Sequence, residues 1–217
     1  MLAADSVSHR YVEGGPLVLD DVCLRLDDGD TVAVVGPSGS GKSTLLALLG
    51  LLMAPTSGSI LVGDPPRAVG PADRPRLGAR IGWVFQGSNA LLGRTVVDNV
   101  ALPLVLDGHR RGPAERRASR ALELVGLSGF EQRPARTLSG GELQRACIAR
   151  ALVCEPEVLL ADEPTGQLDI ANSALVADAL VVGATRSSCL VLVTHDPDVA
   201  ARCRRRLALH DGRLVPA

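Results

Sequence analysis

The chain has 217 residues, 46% of them hydrophobic and 2% aromatic, with 23 basic side chains against 24 acidic ones. That length suits one globular domain, or a domain with a subdomain, around a real core, and a formal net charge of −1 removes the usual electrostatic case for a nucleic-acid binder. Of the 23 basic residues 22 are arginines and one is a lysine, Lys42, so a motif that needs a lysine can sit in only one place.

Met1 to Asp5 lacks the basic start and apolar run of a secretory signal peptide. Between Val7 and Leu26 the segments Leu17-Val18-Leu19 and Val22-Cys23-Leu24 alternate like antiparallel strands. Thr31-Val32-Ala33-Val34-Val35 is a β-branched run stopped by Gly36, the pattern of a buried strand feeding a glycine-rich turn, and Lys42–Leu52 follows as an apolar helix. The longest apolar stretch, Leu45 to Ala54, is too short to cross a bilayer, which takes about 20 residues. Ile60-Leu61-Val62 and Ile81-Gly82-Trp83-Val84 predict two strands separated by a Pro/Gly-rich link from Gly63 to Gly78.

Helical spacing then takes over. Helices are predicted at Val96–Leu106, at Ala114–Val125 with Pro113 near its start, and at Glu142–Leu152. Val158-Leu159-Leu160-Ala161 and Leu190-Val191-Leu192-Val193 return to buried strands. Strand–helix alternation at both ends predicts an α/β sheet with a helical insert at about residues 87–156. The five cysteines form no CxxC pair and are expected to be free, buried thiols.

Gly36-Pro37-Ser38-Gly39-Ser40-Gly41-Lys42-Ser43 fits the phosphate-loop pattern G-x-x-x-x-G-K-[ST], which a shuffled chain of this composition would match about once in 10³ trials. Glycines let successive backbone N–H groups turn inward around phosphate oxygens. The helix that follows points its positive end at the same anion. Lys42 brings a flexible cation to the β- and γ-phosphates, and the Ser43 hydroxyl can ligate Mg²⁺. Further on, Asp162 and Glu163 end an apolar strand, where ligands of parallel sheets gather. Asp162 suits Mg²⁺ and Glu163 suits a general base. Alone the pair reads equally well as an acidic helix start; beside a phosphate loop it reads as catalytic.

Leu138-Ser139-Gly140-Gly141-Glu142-Leu143-Gln144-Arg145 closely resembles the signature of ATP-binding-cassette (ABC) ATPases. Other cassette motifs follow in the family's order. Phe85-Gln86 resembles the Q-loop, Asp162-Glu163 the end of the Walker B strand, Glu163 to Asp169 that strand running into the D-loop, and Thr194-His195-Asp196 the switch histidine. The resemblance spans Tyr11 to Arg213 and implies a P-loop NTPase fold of ABC type. That fold has a mixed sheet core, an antiparallel β-subdomain and a helical subdomain.

It also implies the site. Tyr11 would stack on adenine, and Gly36 through Thr44 would cradle the phosphates of ATP. Ser43, Gln86 and Asp162 would hold Mg²⁺, and Glu163, His195, Lys42 and Gln86 would carry catalysis. Ser139, Gly140, Gly141 and Glu142 would contact the γ-phosphate of ATP held by another cassette. Two cassettes, as a homodimer or heterodimer, would therefore close head to tail around two ATPs.

The resemblance further implies an integral membrane permease subunit as partner, contacted by the helical insert and the Gln86-to-Val100 segment. The chain would then lie at the cytoplasmic face of the membrane. Leu104 to Arg145 and Gly166 to Asp169 look most like a bacterial group serving lipoprotein release, macrolide or peptide export, and cell division. Gln167 stands where that group often has Asn, and Gly87-Ser88-Asn89-Ala90 lacks its usual aromatic. The charge-poor stretch after Asp169 is expected to be covered, and no regulatory domain is expected after Ala217. An importer ATPase would use identical chemistry. A soluble cassette acting on DNA or ribosomes fits less well, since Arg202 with Arg204 to Arg206 reads as a solvated basic face.

Overall fold

Short apolar runs build the parallel centre of a sheet in the computed structural model, which describes residues 1–184 and 188–217. In chain order the elements are β1 (Leu2–His9), β2 (Leu19–Leu26), β3 (Thr31–Val35), α1 (Lys42–Leu49), β4 (Ser57–Val62), β5 (Arg67–Ala68), α2 (Arg74–Gly78), β6 (Ile81–Val84), α3 (Val96–Leu106), α4 (Arg111–Leu124), a 3-10 turn at Ala135–Thr137, α5 (Gly140–Leu152), β7 (Val158–Asp162), α6 (Ile170–Gly183), β8 (Cys189–Val193), α7 (Pro197–Ala200), β9 (Arg205–His210) and β10 (Arg213–Pro216).

The larger sheet has the order β10-β9-β3-β8-β7-β6. Its strands run parallel from β9 to β6, and β10 returns antiparallel along the β9 edge. All five residues of β8 are buried, as expected for a strand covered on both faces. Because successive side chains of a strand point to opposite faces, these runs feed two cores. Ala33, Leu159, Ala161, Leu190 and Leu192 face a core shared with α3, α4, α5 and α6. Val32, Val34, Leu160, Val191 and Val193 face a second core shared with α1, β1 and β2.

The second core is closed by an antiparallel sheet of order β2-β1-β4-β5. The Asp20 N–H donates to Gly212 O at 2.9 Å and Arg213 pairs with Asp20 at 2.7 Å, tying the two sheets together. The helices α3, α4 and α5 all fall between β6 and β7. Thr95 caps α3 by accepting from the Asp98 N–H. No described helix is long and apolar enough to cross a membrane.

Several expectations are corrected by this arrangement. Leu17 and Val18 are not a strand of their own, because the strand begins at Leu19 and pairs with β1, whose start at Leu2 the alternation did not reveal. The helix expected over Lys42–Leu52 stops at Leu49, with Gly50 as its C-cap and Leu51 in a left-handed conformation. The Gly63-to-Gly78 link contains β5 and α2. Of the five free cysteines, Cys147, Cys189 and Cys203 are buried but Cys23 and Cys154 are exposed; burial pushes the Cys189 and Cys203 thiols up to about 11. The stretch after Asp169 forms α6, which packs Val176 and Leu180 inward yet leaves Ile170 89% exposed.

The end of α1 depends on one close approach. A Cβ on Gly50 would lie 1.8 Å from Cζ2 of Trp83, so the indole on β6 occupies the space any side chain would need. Gly50→Ala is expected to lower stability by about 1–3 kcal/mol through overpacking, read as a lower chemical-denaturation midpoint. Trimming the ring with Trp83→Leu in the same chain should recover part of that loss, and an unchanged Gly50→Ala midpoint would contradict the contact.

Candidate functional site

Because β8 lies between β3 and β7, with β6 next to β7, the loops leaving the carboxyl ends of these four strands are neighbours. They carry Gly36–Ser43, Thr194-His195, Asp162-Glu163 and Phe85-Gln86 respectively. A cavity of about 540 Å³ opens there, lined by Tyr11, Val18, Gly36, Ser38, Gly39, Gly41, Lys42, Ser43, Thr44, Gln86, Asp162, Glu163 and His195. Pro37 and Ser40 belong to the same loop but do not line it. Val18 was not anticipated as a site residue; it lies just before β2, and an apolar residue close to the expected adenine aromatic was the only hint.

The loop is a tight cradle. Gly36 has φ 153°, and a Cβ there would meet Leu209 O at 2.4 Å, so only glycine fits this turn. The Lys42 ammonium folds back onto its own loop and donates to Gly36 O and Pro37 O, both at 2.9 Å. The Ser40 hydroxyl is buried beneath the loop without a partner. The first turn of α1 carries no acidic side chain, so its positive end faces the cavity uncancelled.

Opposite the loop, register sets the acids. Asp162 pairs with Val193 across β7 and β8, and the Glu163 N–H donates to Val193 O at 2.9 Å. Glu163 has φ 47°, a left-handed conformation that costs a residue with a side chain about 1–3 kcal/mol. Glu163 Oε2 lies 2.9 Å from Nδ1 of His195 and accepts from the His195 N–H at 3.4 Å. The pair is asymmetric in exposure, Glu163 at 13% and His195 at 75%, so the carboxylate is sheltered while the ring faces solvent.

Tyr11 approaches from the antiparallel sheet. Its hydroxyl is 2.8 Å from Thr44 Oγ1, and its ring stands edge-on to His9 with centroids 5.1 Å apart. The ring is 63% exposed, available to a planar ligand. The chemistry of the donors also fits a hard cation: Ser43, Asp162 and Gln86 offer a hydroxyl, a carboxylate and an amide oxygen to one cavity. Mg²⁺ accepts such oxygens when substrate phosphates and water complete its shell.

Ser139, Gly140, Gly141 and Glu142 do not join this cavity. They form the start of α5 with a full capping box: the Ser139 N–H donates to Glu142 Oε2 at 2.7 Å, and the Glu142 N–H donates to Ser139 Oγ at 3.3 Å. The Ser139 backbone N–H holds the Glu142 carboxyl below its ordinary range, so its stabilising charge is complete at neutral pH and fades as pH falls through the carboxylate range. The Gly140 and Gly141 N–H groups have no acceptor within their own helix, as in any first turn. Asp169 caps α6 by accepting from the Asn172 N–H, which lowers its pKa. Gln144, quoted in the signature string without a role, turns out to be fully buried. A polar residue in helical register with Cys147, Ile148 and Ala151 was the signal.

A larger cavity of about 920 Å³ lies at the opposite ends of the strands, where Val158 and Cys189 begin β7 and β8. Its lining mixes Arg67, Arg76 and Arg80 with Asp28 and Glu157, and ligands of such sheets bind at the other end.

The family model described as "ABC transporter" matches residues 19–166. The lipoprotein-releasing system ATP-binding protein LolD of Bordetella pertussis is 43% identical over 99% of this chain and 95% of its own length. The methionine import ATP-binding protein MetN of Caulobacter vibrioides is 42% identical over 99% of this chain and 66% of its own length. Among solved structures, the ATP-binding cassette MJ0796, as a dimer in a post-hydrolysis state bound to ADP and Pi, superposes with a TM-score of 0.88 at 32% identity, covering 99% of this chain and 96% of that one.

Replacing the single cation of the loop tests its geometry. Lys42→Ala is expected to abolish turnover and weaken nucleotide binding, measured by titration of a fluorescent ATP analogue. Turnover at the wild-type rate would undo the phosphate-loop assignment.

Proposed function

This chain belongs to the ABC transporter family as an ATP-binding, ATP-hydrolysing cassette, and from that premise we propose that two copies close head to tail around two ATPs to drive a separate membrane subunit. The observation that carries this reading is the separation of two phosphate-binding features. The phosphate loop lines the cavity, while the capped start of α5 faces elsewhere. A helix N-terminus with free glycine N–H groups is an anion site, and a second copy is the natural source of its phosphate. That the similar MJ0796 cassette is a dimer bound to ADP and Pi supports the association of two copies.

Within each site the roles follow from position. Tyr11 stacks on the base, a contact worth about 1–3 kcal/mol by analogy with base–aromatic pairs. The loop N–H groups and Lys42 hold the phosphates, the ammonium exchanging its two carbonyl partners for phosphate oxygens. Ser43, Asp162 and Gln86 hold Mg²⁺, which when bound supplies positive charge against the charge developing on the β- and γ-phosphate oxygens. Glu163 takes a proton from the attacking water as the bond to the γ-phosphorus forms and the bond to the β–γ bridging oxygen breaks, leaving ADP and phosphate. His195, hydrogen-bonded to Glu163, keeps that carboxylate aimed and reads the γ-phosphate.

The whole chain then acts as one ATPase domain, with the helices of about residues 87–156 inserted into it as the arm that meets the membrane partner. The chain would sit at the cytoplasmic face, held by that integral subunit. Lipoprotein release is the favoured task, supported by similarity along the whole chain to LolD. A second reading, an import ATPase, is favoured by the nearly equal identity to MetN. Nucleic acid is not an expected partner, since Arg202 and Arg205 of the basic run already pair with Asp178 and Asp30.

Glu163→Gln is expected to lower hydrolysis by about 10²-fold or more and to accumulate an ATP-dependent dimer, seen by size-exclusion chromatography with and without ATP. Normal hydrolysis would remove Glu163 from its role. Purification of that variant from membranes should bring down an integral subunit of a lipoprotein-releasing complex; a methionine permease instead would establish the import reading.

A further inference from the structure

Beneath the site lies one buried polar side chain that touches two of its loops from a third element. Gln144 is on the inner face of α5 and 0% exposed. Its Nε2 donates to Phe85 O at 3.1 Å and to Pro164 O at 3.4 Å. Phe85 immediately precedes Gln86, and Pro164 immediately follows Glu163. The other amide atom, Oε1, is buried with no partner. Methionine would fill the same volume and strand no acceptor, so packing alone does not account for an amide here.

The contact is part of a longer seam. Six residues further along α5, Arg150 Nη1 donates to Asn89 O at 3.1 Å and Nη2 binds the Asn89 side chain. The Phe85-to-Asn89 segment is thus fastened to α5 at both ends, and α5 begins at Ser139. Among the described residues of α5, Gln144 carries the seam on to the loop that holds Glu163, through its bond to Pro164 O.

The geometry points to Gln144 as a positioning residue for ATP hydrolysis. By holding the carbonyls of Phe85 and Pro164 on one amide group, it fixes the spacing between Gln86 and Glu163. It also slaves that spacing to the helix whose N-terminus meets the partner copy's phosphate. Closure of two copies therefore sets the attacking-water geometry through this side chain. The assignment rests on the reading of Glu163 and Gln86 as catalytic given above. It concerns alignment and not nucleotide affinity, because no atom of Gln144 reaches the phosphate loop or Tyr11 through these bonds.

The test is steady-state hydrolysis by the full chain carrying Gln144→Met, with ATP as substrate and thermal stability measured alongside. The expected result is a kcat lowered about 10–100-fold, as for a misplacement of reacting groups, with KM for ATP changed less than about threefold. Gln144→Leu is likewise apolar and has no donor; it should show the same split and serves if the methionine variant does not fold. Gln144→Asn, one methylene short, should lie between. A wild-type kcat in a folded Gln144→Met or Gln144→Leu protein would overturn the assignment. So would kcat and KM changing together in proportion to lost stability, the mark of a purely packing role. Glu163→Gln run in parallel separates the two readings: if it hydrolyses normally the catalytic base is wrong, whereas if it is inactive while Gln144→Met turns over normally only the Gln144 assignment falls.

Discussion

Everything in the site is arranged around one ammonium group and the loop that folds over it. Lys42 Nζ rests on the carbonyls of Gly36 and Pro37, so the loop is curled over its own ammonium. A guanidinium would not substitute: its planar fork needs more room and a fixed approach, whereas a compact point charge on a mobile stem can leave two carbonyls for phosphate oxygens. In a chain that uses arginine for 22 of its 23 basic side chains, lysine occurs where that difference matters. The tight turn at Gly36 is as demanding, because Leu209 of β9 presses against it.

The sheet exists to bring acids to that cation. Parallel order β3-β8-β7-β6 puts four carboxyl-terminal loops in a row, and the register of β7 on β8 sets Glu163 against His195. The left-handed backbone at Glu163 is strain of the kind that persists where surrounding structure over-determines a functional residue. Period-two burial then divides the supporting core in two. One half anchors the phosphate loop and the Tyr11 sheet, the other anchors the helices that carry Ser139 and Gln144.

Legibility in the sequence followed the sharpness of local boundaries. β3 and α3 were read to the residue, because Gly36 ends one and the Thr95 cap begins the other. β1 was not seen, since Leu2-Ala3-Ala4-Asp5 has neither β-branching nor alternation, and it is held in place by pairing on both sides. Leu17 and Val18 looked like a strand because they are apolar, but they belong to the approach to β2. Arg205 and Arg206 read as a solvated basic face and are exposed at the start of β9, whose place beside β3 comes from long-range pairing that no local pattern reveals. Within the site, motif spacing singles out Gly36, Lys42, Ser43, Asp162, Glu163, Gln86, His195 and Tyr11, which line one cavity. Gln144 and Val18 gain meaning only in three dimensions, Gln144 through the distant carbonyls it binds and Val18 through the cavity it lines.

The central claim is that ATP bound by one copy is completed by the signature helix of another. Its most direct measurement is the distance, in a structure of the Glu163→Gln protein crystallised with ATP, between the γ-phosphate on one copy's Lys42 loop and Ser139 of the second copy. The account predicts hydrogen-bonding reach, about 3 Å, at both sites of a two-fold dimer. ATP bound with Ser139 of every copy remote from every γ-phosphate would contradict it.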